Sequence, residues 1–277
     1  VQPRTPSGPA TPVSVHCTSG TTCHRRMTLH LLPLLLDAVR LFLLILGRYF
    51  LVAGFVFWLL GRLPRITGGE ASCGAHIRSD IRLSVQSAVV FALAAEGLLV
   101  AARMGFTRLY DDPQLFGWWY LMASYAAVLL LQDAIFYFSH RLFHHRLFYR
   151  WFHAAHHQSR QPTAWTSFAF DTPEAVFQAG FLLVLVMLLP LHWGTLIAVL
   201  ATMSVWAVVN HLGLEHLPVS FPHGWLGRWF IGPAHHALHH RIPSVHYGLY
   251  FTFWDRWLGT EHPRYLQPEP AVPGVSP

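Results

Sequence analysis

Residues 140–157 read HRLFHHRLFYRWFHAAHH, and six of these eighteen positions are histidine. His140 and His144 stand four residues apart, and an HxxHH trio occupies positions 153–157. Residues three or four positions apart share one face of a helix. Each of these two groups is therefore predicted to point its imidazole rings toward one place.

The trio returns as HALHH at positions 236–240, and His211 lies between the two trios. Neutral imidazole is a strong ligand for iron, zinc, copper and nickel. A lone histidine is usually an ordinary core or surface residue, whereas nine protonatable rings crowded together without a metal would lose hydration and repel one another. We therefore predict one metal site collected from four segments of the chain. Its candidate ligands are His140, His144, His153, His156, His157, His211, His236, His239 and His240.

The composition is too apolar for an ordinary soluble domain, because 53% of the 277 residues are hydrophobic and 12% are charged. The net charge is +6 and all 19 basic residues are arginine, but no nucleic-acid-binding motif accompanies them, so we predict no nucleic acid partner. A lysine-free chain rich in Ala, Arg, Gly and Pro indicates a GC-rich bacterial genome, and hence a bacterial inner membrane. The three cysteines have no metal-binding or redox spacing, which excludes thiolate chemistry and iron–sulfur clusters.

The apolar runs predict an all-α integral membrane bundle of about four or five spans with a histidine-rich helical cap in the cytoplasm. The first run is interrupted by Asp37, Arg40 and Arg48, and it is interpreted as an interfacial segment at 28–40 that leads into a span. Met27 opens this run and is a candidate natural start of the protein. The predicted spans cover residues 41–60, 84–102, 116–138, 175–189 and 193–209.

Composition also divides the chain into four parts. Residues 1–26 are rich in Pro, Ser and Thr and are predicted to be a disordered tail. Residues 27–115 hold the N-terminal membrane spans, and residues 116–266 hold the histidine motifs with the remaining spans. Residues 267–277 are predicted to be a Pro-rich tail.

The order of spans and motifs predicts that all nine histidines lie at one face of the membrane. The third span ends near His140, and a hairpin of two spans returns the chain to the same side at His211. On the opposite face, the loop 103–115 holds two arginines and the loop 190–192 holds none. The loops on the histidine face hold twelve, which places that face in the cytoplasm by the positive-inside rule. These loops are 61–82, 140–174 and 212–266.

One HxxxH and two HxxHH motifs at the ends of membrane helices resemble the fatty acid hydroxylase/sterol desaturase superfamily of membrane non-haem diiron enzymes. The resemblance runs from about Trp118 to Tyr265. One further segment, PTAWTSFAF, is similar to the sterol C5-desaturase-like members. The segments that carry the resemblance are DAIFYFSHR at 133–141, PTAWTSFAF at 162–170, NHLGLE at 210–215 and YGLYFTFWDRWLGT at 247–260.

This resemblance implies that residues 116–266 are a catalytic domain that oxidises a C–H bond of a membrane lipid, by hydroxylation or desaturation. It implies two iron ions held by the nine histidines, with zinc able to replace iron in purified protein, and dioxygen as co-substrate. The electron donor would be external, a ferredoxin- or cytochrome b5-like protein with its reductase, because the chain has no haem or flavin motif. Spacing alone does not separate iron from zinc, and the substrate is left open among sterol, fatty acyl, carotenoid and alkyl-glycerol lipids.

Ligating histidines usually donate their outer ring N–H to a carboxylate or carbonyl. Asp133 lies seven positions before His140, about two turns along the same helix face, and an acid inside a span is usually functional. We predict Asp133, Glu174 and Glu215 as carboxylates that support the ligands. The alternatives are helix packing for Asp133, and surface or helix-capping roles for the two glutamates.

Several neighbours of the motifs have weaker assignments. His145 and His235 point about 100° away from the adjoining motif histidines and are left out of the site. His246 is interpreted as a polar neighbour or a tenth ligand, and Asp255 is expected to fix the closing helix. Asp171 stands where members of the superfamily often have histidine and is interpreted as a supporting acid or as neutral to function. Candidate wall residues for a lipid cavity are Phe136, Phe138, Phe168 and Trp206.

Two other functions fit a histidine-rich membrane protein. A non-enzymatic metal carrier, for example for zinc, needs polar ligands along a path near the middle of the membrane. A membrane haem protein needs pairs of axial histidines that face each other inside the spans. The predicted position of the histidines at the ends of the spans argues against both.

Overall fold

The computed structural model describes residues 31–62, 76–212, 225–263 and 265. The predicted tails at 1–26 and 267–277, and Glu215, lie outside the described residues. The helices are α1 (Leu31–Leu60), α2 (Ile77–Arg103), α3 (Trp118–Phe143), α4 (Tyr149–Phe152), α5 (Thr172–Leu188), α6 (Trp193–Asn210), α7 (Trp225–Trp229), α8 (Pro233–Arg241) and α9 (Phe253–Trp257). Two 3₁₀ turns cover His156–Gln158 and Ala164–Phe168, and two short strands are β1 (Leu109–Tyr110) and β2 (Leu191–His192).

The predicted all-α membrane bundle is confirmed. Among the described residues, the four helices α1, α2, α3 and α6 are long and apolar enough to cross a membrane. Helix α5 is also apolar but has 17 residues, about 26 Å at 1.5 Å per residue, which is slightly less than the hydrocarbon core of a bilayer. It forms a hairpin with α6 through the short connection that contains β2.

The first apolar run differs from the prediction of an interfacial segment followed by a separate span. It forms one continuous helix of 30 residues, α1. The charges that suggested an interface are paired on the helix surface, because Asp37 accepts from Arg40 at 3.0 Å and from Arg103 of α2 at 3.4 Å. Paired charges do not interrupt the helix, so it continues through this region.

The bundle end opposite the histidines is held by β1 and β2, which pair in parallel with Leu109 opposite Leu191 and Tyr110 opposite His192. This pairing joins the α2–α3 loop to the α5–α6 connection. Both connections therefore lie on one face, as the predicted topology requires. The buried core beside them consists of Val128, Leu185, Val186, Leu191, Leu196 and Val199.

At the other end, α1 and α2 anchor the segment that follows the second histidine motif. The hydroxyl of Tyr49 donates to the carbonyl of Trp165 at 2.9 Å. Buried Asp80 of α2 accepts from the hydroxyls of Ser159 at 2.6 Å and Thr166 at 2.8 Å. The N-terminal membrane helices thus fix the backbone between the second histidine motif and α5.

Candidate metal centre

All nine predicted histidines lie in two adjoining groups, and the four segments of chain converge. Within each group the candidate ligand atoms are all within 4.8 Å of one another. The two groups meet where the rings of His157 and His240 stack with centroids 4.6 Å apart. Group A consists of His140, His144, His153, His157 and His239. Group B consists of His156, His211, His236 and His240.

The two HxxHH motifs divide between the groups in the same way. In each motif, the first and last histidines belong to one group. The histidine directly before the last one belongs to the other group, since neighbouring residues of a helix point about 100° apart. The motif at 153–157 gives two rings to group A and His156 to group B, whereas the motif at 236–240 gives two rings to group B and His239 to group A. Each motif therefore bridges both groups.

Local sequence explains where these histidines stand. His140 lies in the last turn of α3 and His144 is its C-cap residue, while His211 caps the C-terminus of α6. Helix α8, which carries the last motif, begins at Pro233 directly after Gly232. Proline is favoured in the first turn of a helix because its missing N–H is not needed there.

The Nε2 atoms of both groups point inward and lie close together. In group A, the Nε2 atoms of His140 and His153 are 2.9 Å apart, and those of His157 and His239 are 3.1 Å apart. In group B, the Nε2 atom of His236 lies 3.1 Å from that of His211 and 3.1 Å from that of His240. Two nitrogens bound to one ion at about 2.1 Å and at right angles would be about 3.0 Å apart.

The outer ring nitrogens explain why those Nε2 atoms fit a metal. Four histidines place Nδ1 against a backbone carbonyl, which can only accept, and His153 places Nδ1 against the carboxyl group of Glu174. Where the oxygen accepts, Nδ1 carries the hydrogen and Nε2 of the neutral ring has a lone pair. Lone pairs facing each other at about 3 Å repel unless a cation lies among them. The five pairs are His140 with Tyr247 O (2.9 Å), His153 with Glu174 Oε2 (2.7 Å), His156 with Ala169 O (2.9 Å), His211 with Ala207 O (2.6 Å) and His239 with Val245 O (2.7 Å).

Burial keeps these rings neutral. His144 is half-buried and the other eight are buried. Burial and then repulsion from neighbouring histidines lower the pKa of His144 to about 2 and that of His211 to about 3. The same causes hold the pKa of His153, His236 and His239 well below the ordinary value. At neutral pH the rings are therefore available as ligands.

The three predicted carboxylates differ in outcome. Glu174 is buried and accepts from Nδ1 of His153 at 2.7 Å, as expected for a group that orients a ligand. Asp133 is also buried, but it accepts from the backbone N–H groups of Tyr250 at 2.6 Å and Phe251 at 3.3 Å rather than from a histidine. A spacing of seven residues keeps it on the face of His140 but about 10 Å away along the axis, which is too far for a hydrogen bond. Glu215 is outside the described residues.

Asp171 supports the site in a way that the sequence left open. Its Oδ2 atom accepts from the backbone N–H groups of Ala155 and His156, both at 3.1 Å. The carboxylate thus fixes the backbone that carries the second motif. The other supports missed from the sequence are backbone carbonyls, such as those of Tyr247 and Val245, which leave no sequence signal because every residue has one.

Asp255, His235 and His246 form a third buried cluster beside the two groups. Asp255 accepts from the backbone N–H groups of Tyr247 at 2.8 Å and Gly248 at 3.1 Å, so it fixes the closing segment. Burial raises the pKa of Asp255, but His235 and the hydrogen bonds outweigh this and hold the pKa at about 2. His246 adopts a left-handed backbone with φ of 61° and lies in this cluster rather than among the nine.

An apolar cavity of about 460 Å³ lies on the membrane side of the histidines, between α1, α2, α3, α5 and α6. Its wall includes Phe136 and Phe170. The ring centroid of Phe136 lies 4.9 Å from that of His140, and the ring of Phe170 stacks on that of His156 with centroids 6.1 Å apart. Of the aromatic residues predicted for such a wall, Phe136 and Phe168 line it and Phe138 and Trp206 do not. The volume is within the range of small-molecule sites. The arrangement can hold metal ions directly beside an apolar ligand.

Comparison with known proteins gives one matching family and several relatives. Residues 125–260 match the family described as fatty acid hydroxylase. The chain is 32% identical to the lathosterol oxidase of Rattus norvegicus over 192 residues, which is 68% of this chain and 62% of that protein. It is 30% identical to the lathosterol oxidase of Homo sapiens over 67% of this chain and 61% of that protein. It is 29% identical to the Delta(7)-sterol 5(6)-desaturase ERG3B of Gibberella zeae over 67% of this chain and 56% of that protein.

The chain therefore spans less than two thirds of the length of these curated relatives. No solved structure matches it. The similar region contains both histidine groups and the closing segment up to Thr260.

Proposed function

Because the chain belongs to the fatty acid hydroxylase/sterol desaturase superfamily, we propose that it is an oxidoreductase that uses two iron ions and dioxygen to oxidise a C–H bond of a membrane lipid. The observation that carries the proposal is the pair of histidine groups, whose inward Nε2 lone pairs adjoin an apolar cavity. One ion would be held by group A and the other by group B. Zinc, which binds the same nitrogens, would fill the site without redox activity.

The bound iron ions would supply the activation of dioxygen, because no side chain can oxidise an unactivated C–H bond. The chain's own residues orient the ligands and exclude water. Glu174 holds the outer nitrogen of His153, and the carbonyl of Tyr247 holds that of His140. Fixed ligands and a bound substrate beside them reduce the entropy lost on reaching the reactive geometry.

The cavity selects an apolar substrate. Its wall residues Phe136 and Phe170 contact the rings of His140 and His156, so a lipid in the cavity would lie close to the centre. The names of the relatives are those of a lathosterol oxidase and of sterol desaturases. We therefore place a sterol-like lipid first among the candidate substrates and a fatty acyl lipid second, with desaturation or hydroxylation as the outcome.

The proposed enzyme also needs an electron donor and a location in the membrane. Electrons would come from a ferredoxin- or cytochrome b5-like donor with its reductase. The excess of arginines in the loops on the histidine face favours a site at the cytoplasmic face of a bacterial inner membrane. The nine motif histidines gather at one end of the bundle instead of along a path through it, so no observation favours a zinc carrier.

The test is oxidation by the purified full-length chain. We expect iron-loaded protein with a donor system to consume dioxygen and to convert a lipid from a membrane extract, with mass spectrometry showing a gain of one oxygen or a loss of two hydrogens. His156→Ala and His239→Ala should lose both iron and turnover. His145→Ala, which changes a histidine outside both groups, is the matched control. Full turnover in the first two variants, or metal uptake into vesicles without oxygen consumption, would contradict the proposal.

A further inference from the structure

Arg48 is a charged residue in the interior of a membrane span. It lies twelve residues before the end of α1, about 18 Å along the helix axis. A charge at such a depth is costly, is usually paired, and commonly marks a functional site. The neighbouring span arginines follow that rule, because Arg40 pairs with Asp37 and Arg103 lies 3.8 Å from Glu96 as well as near Asp37.

In the described part of the chain, Arg48 has no carboxylate partner. Its guanidinium donates to the hydroxyl of Ser204 on α6 and lies 4.9 Å from the centre of the Phe168 ring. The Ser204 hydroxyl in turn donates to the carbonyl of Leu200 at 2.7 Å. Both contacts of Arg48 are neutral, so its charge is not compensated by the residues that the structure describes.

Arg48 and Ser204 both line the apolar cavity, whose described wall contains no aspartate or glutamate. A second donor belongs to Gln132, which also lines this cavity. Gln132 uses its Oε1 atom to accept from the hydroxyl of Tyr250 at 2.9 Å, while its buried Nε2 atom has no acceptor among the described residues. Gln132 Nε2 is therefore a donor of the cavity wall without an acceptor among the described residues, and a buried unsatisfied donor is costly. The other polar side chains of the wall, besides Arg48, are Gln178, Ser204 and Tyr250.

These donors lie at a common depth below the candidate metal centre. Ser204 precedes His211 by seven residues and Gln132 precedes His140 by eight, which is about 10–12 Å along their helices. The aromatic residues Phe136 and Phe170 lie between that depth and the histidines. The cavity thus has a donor region at one level and an apolar region next to the centre.

We propose that Arg48 is a specificity-determining residue that binds an acceptor oxygen of the lipid, a hydroxyl or a carboxylate, with Gln132 as a second donor. The inference rests on the proposed function, in that the cavity is taken to bind the lipid substrate. A hydroxyl satisfies the donors, and a carboxylate also compensates the charge of Arg48. The carboxylate is therefore expected to bind more tightly than the alcohol of the same chain length.

Ligand binding to the purified full-length chain tests this. The probes are two matched sets: cholestanol against cholestane, and stearate against stearyl alcohol and octadecane. In the set whose shape fits the cavity, the wild type should bind the oxygen-bearing probes with a Kd about 10–100-fold lower than that of the hydrocarbon, because hydrogen bonds to a charged group are strong. Arg48→Met should abolish that preference and leave the hydrocarbon affinity unchanged. Arg40→Met, on the same helix, is the control and should retain the preference.

Equal Kd values for oxygen-bearing and hydrocarbon probes in the wild type, or an undiminished preference in Arg48→Met, would overturn the proposal. No binding of any probe to the wild type would also overturn it. If Arg48→Met does not fold, Arg48→Lys replaces it, and it should weaken the preference for the carboxylate because a single ammonium replaces the guanidinium fork. The assay needs neither iron nor dioxygen, so its failure is distinct from a failure of the proposed oxidation.

Discussion

Groups A and B are built from the same motifs but are supported differently. Group A has five histidines, and one of them, His153, is held by the carboxylate of Glu174. Group B has four histidines, and the outer nitrogens of His156 and His211 are held by neutral carbonyls. A carboxylate raises the basicity of the imidazole that it holds more than a carbonyl does. If each group holds one ion, as proposed, the comparison predicts two sites of unequal affinity, with the tighter site in group A.

The largest expected effect comes from removing one ligand at a time from α8, which contributes histidines to both groups. Losing a partner that merely orients a ligand costs about 10–100-fold in metal affinity or activity, so His239→Ala in group A and His236→Ala in group B should each lower turnover by more than about 100-fold. Iron analysis of each variant should show less bound iron than in the wild type. Equal iron content in wild type and both variants would contradict the assignment of the groups.

The next effect tests the carboxylate directly. Glu174→Gln keeps the shape of the side chain but removes its charge, and should lower metal affinity in group A by about 10–100-fold. Group B should be unaffected, so a titration with Co²⁺ that shows two sites in the wild type should show its tighter site weakened. Asp112→Asn, at the opposite end of the bundle, is the control. A variant in which both sites weaken equally would remove the distinction between the groups.

A smaller effect is expected for Asp171→Ala. The change removes two charge-assisted hydrogen bonds to the backbone at Ala155 and His156. We expect the free energy of unfolding to fall by about 1.5–3 kcal/mol, and group B to lose more affinity than group A because His156 belongs to it. Denaturant unfolding and Co²⁺ titration measure the two effects. Unchanged stability would show that these bonds are replaced by water.

The smallest effect is the response to mild acid. An exposed histidine has a pKa of about 6.5 and would be mostly protonated at about pH 5.5, which would weaken metal binding. Burial and neighbouring histidines lower the pKa of His211 to about 3, and that of His240 is well below the ordinary value, so protons do not compete there. We expect the Co²⁺ affinity of folded protein to change by less than about threefold between pH 7.5 and 6. A loss of tenfold or more would indicate exposed ligands.

The sequence predicts the convergence of the histidines because the motif spacing and the order of the spans both encode a side of the membrane. It does not predict how the histidines divide between groups, because that depends on where α8 enters between the other segments. Carbonyl partners such as Tyr247 have no signal in the sequence. The seven-residue spacing already places Asp133 about 10 Å from His140 along the helix, but its partner, the backbone N–H of Tyr250, has no signal in the sequence.

The continuity of α1 shows a similar limit. Asp37 and Arg40 suggested a membrane interface when they were considered alone. Their charges are compensated by each other and by Arg103 of the neighbouring helix, which only the folded arrangement reveals. Arg48 interrupts the same apolar run, but the sequence alone assigns it no role, because that role depends on the cavity that it lines.

Anomalous X-ray diffraction at the iron edge, from crystals of the iron-loaded chain, tests the central claim most directly. Two peaks are predicted, one enclosed by the five histidines of group A and one by the four of group B. A single peak, or iron bound only in the cluster of His235, His246 and Asp255, would contradict a two-ion centre built from these nine histidines.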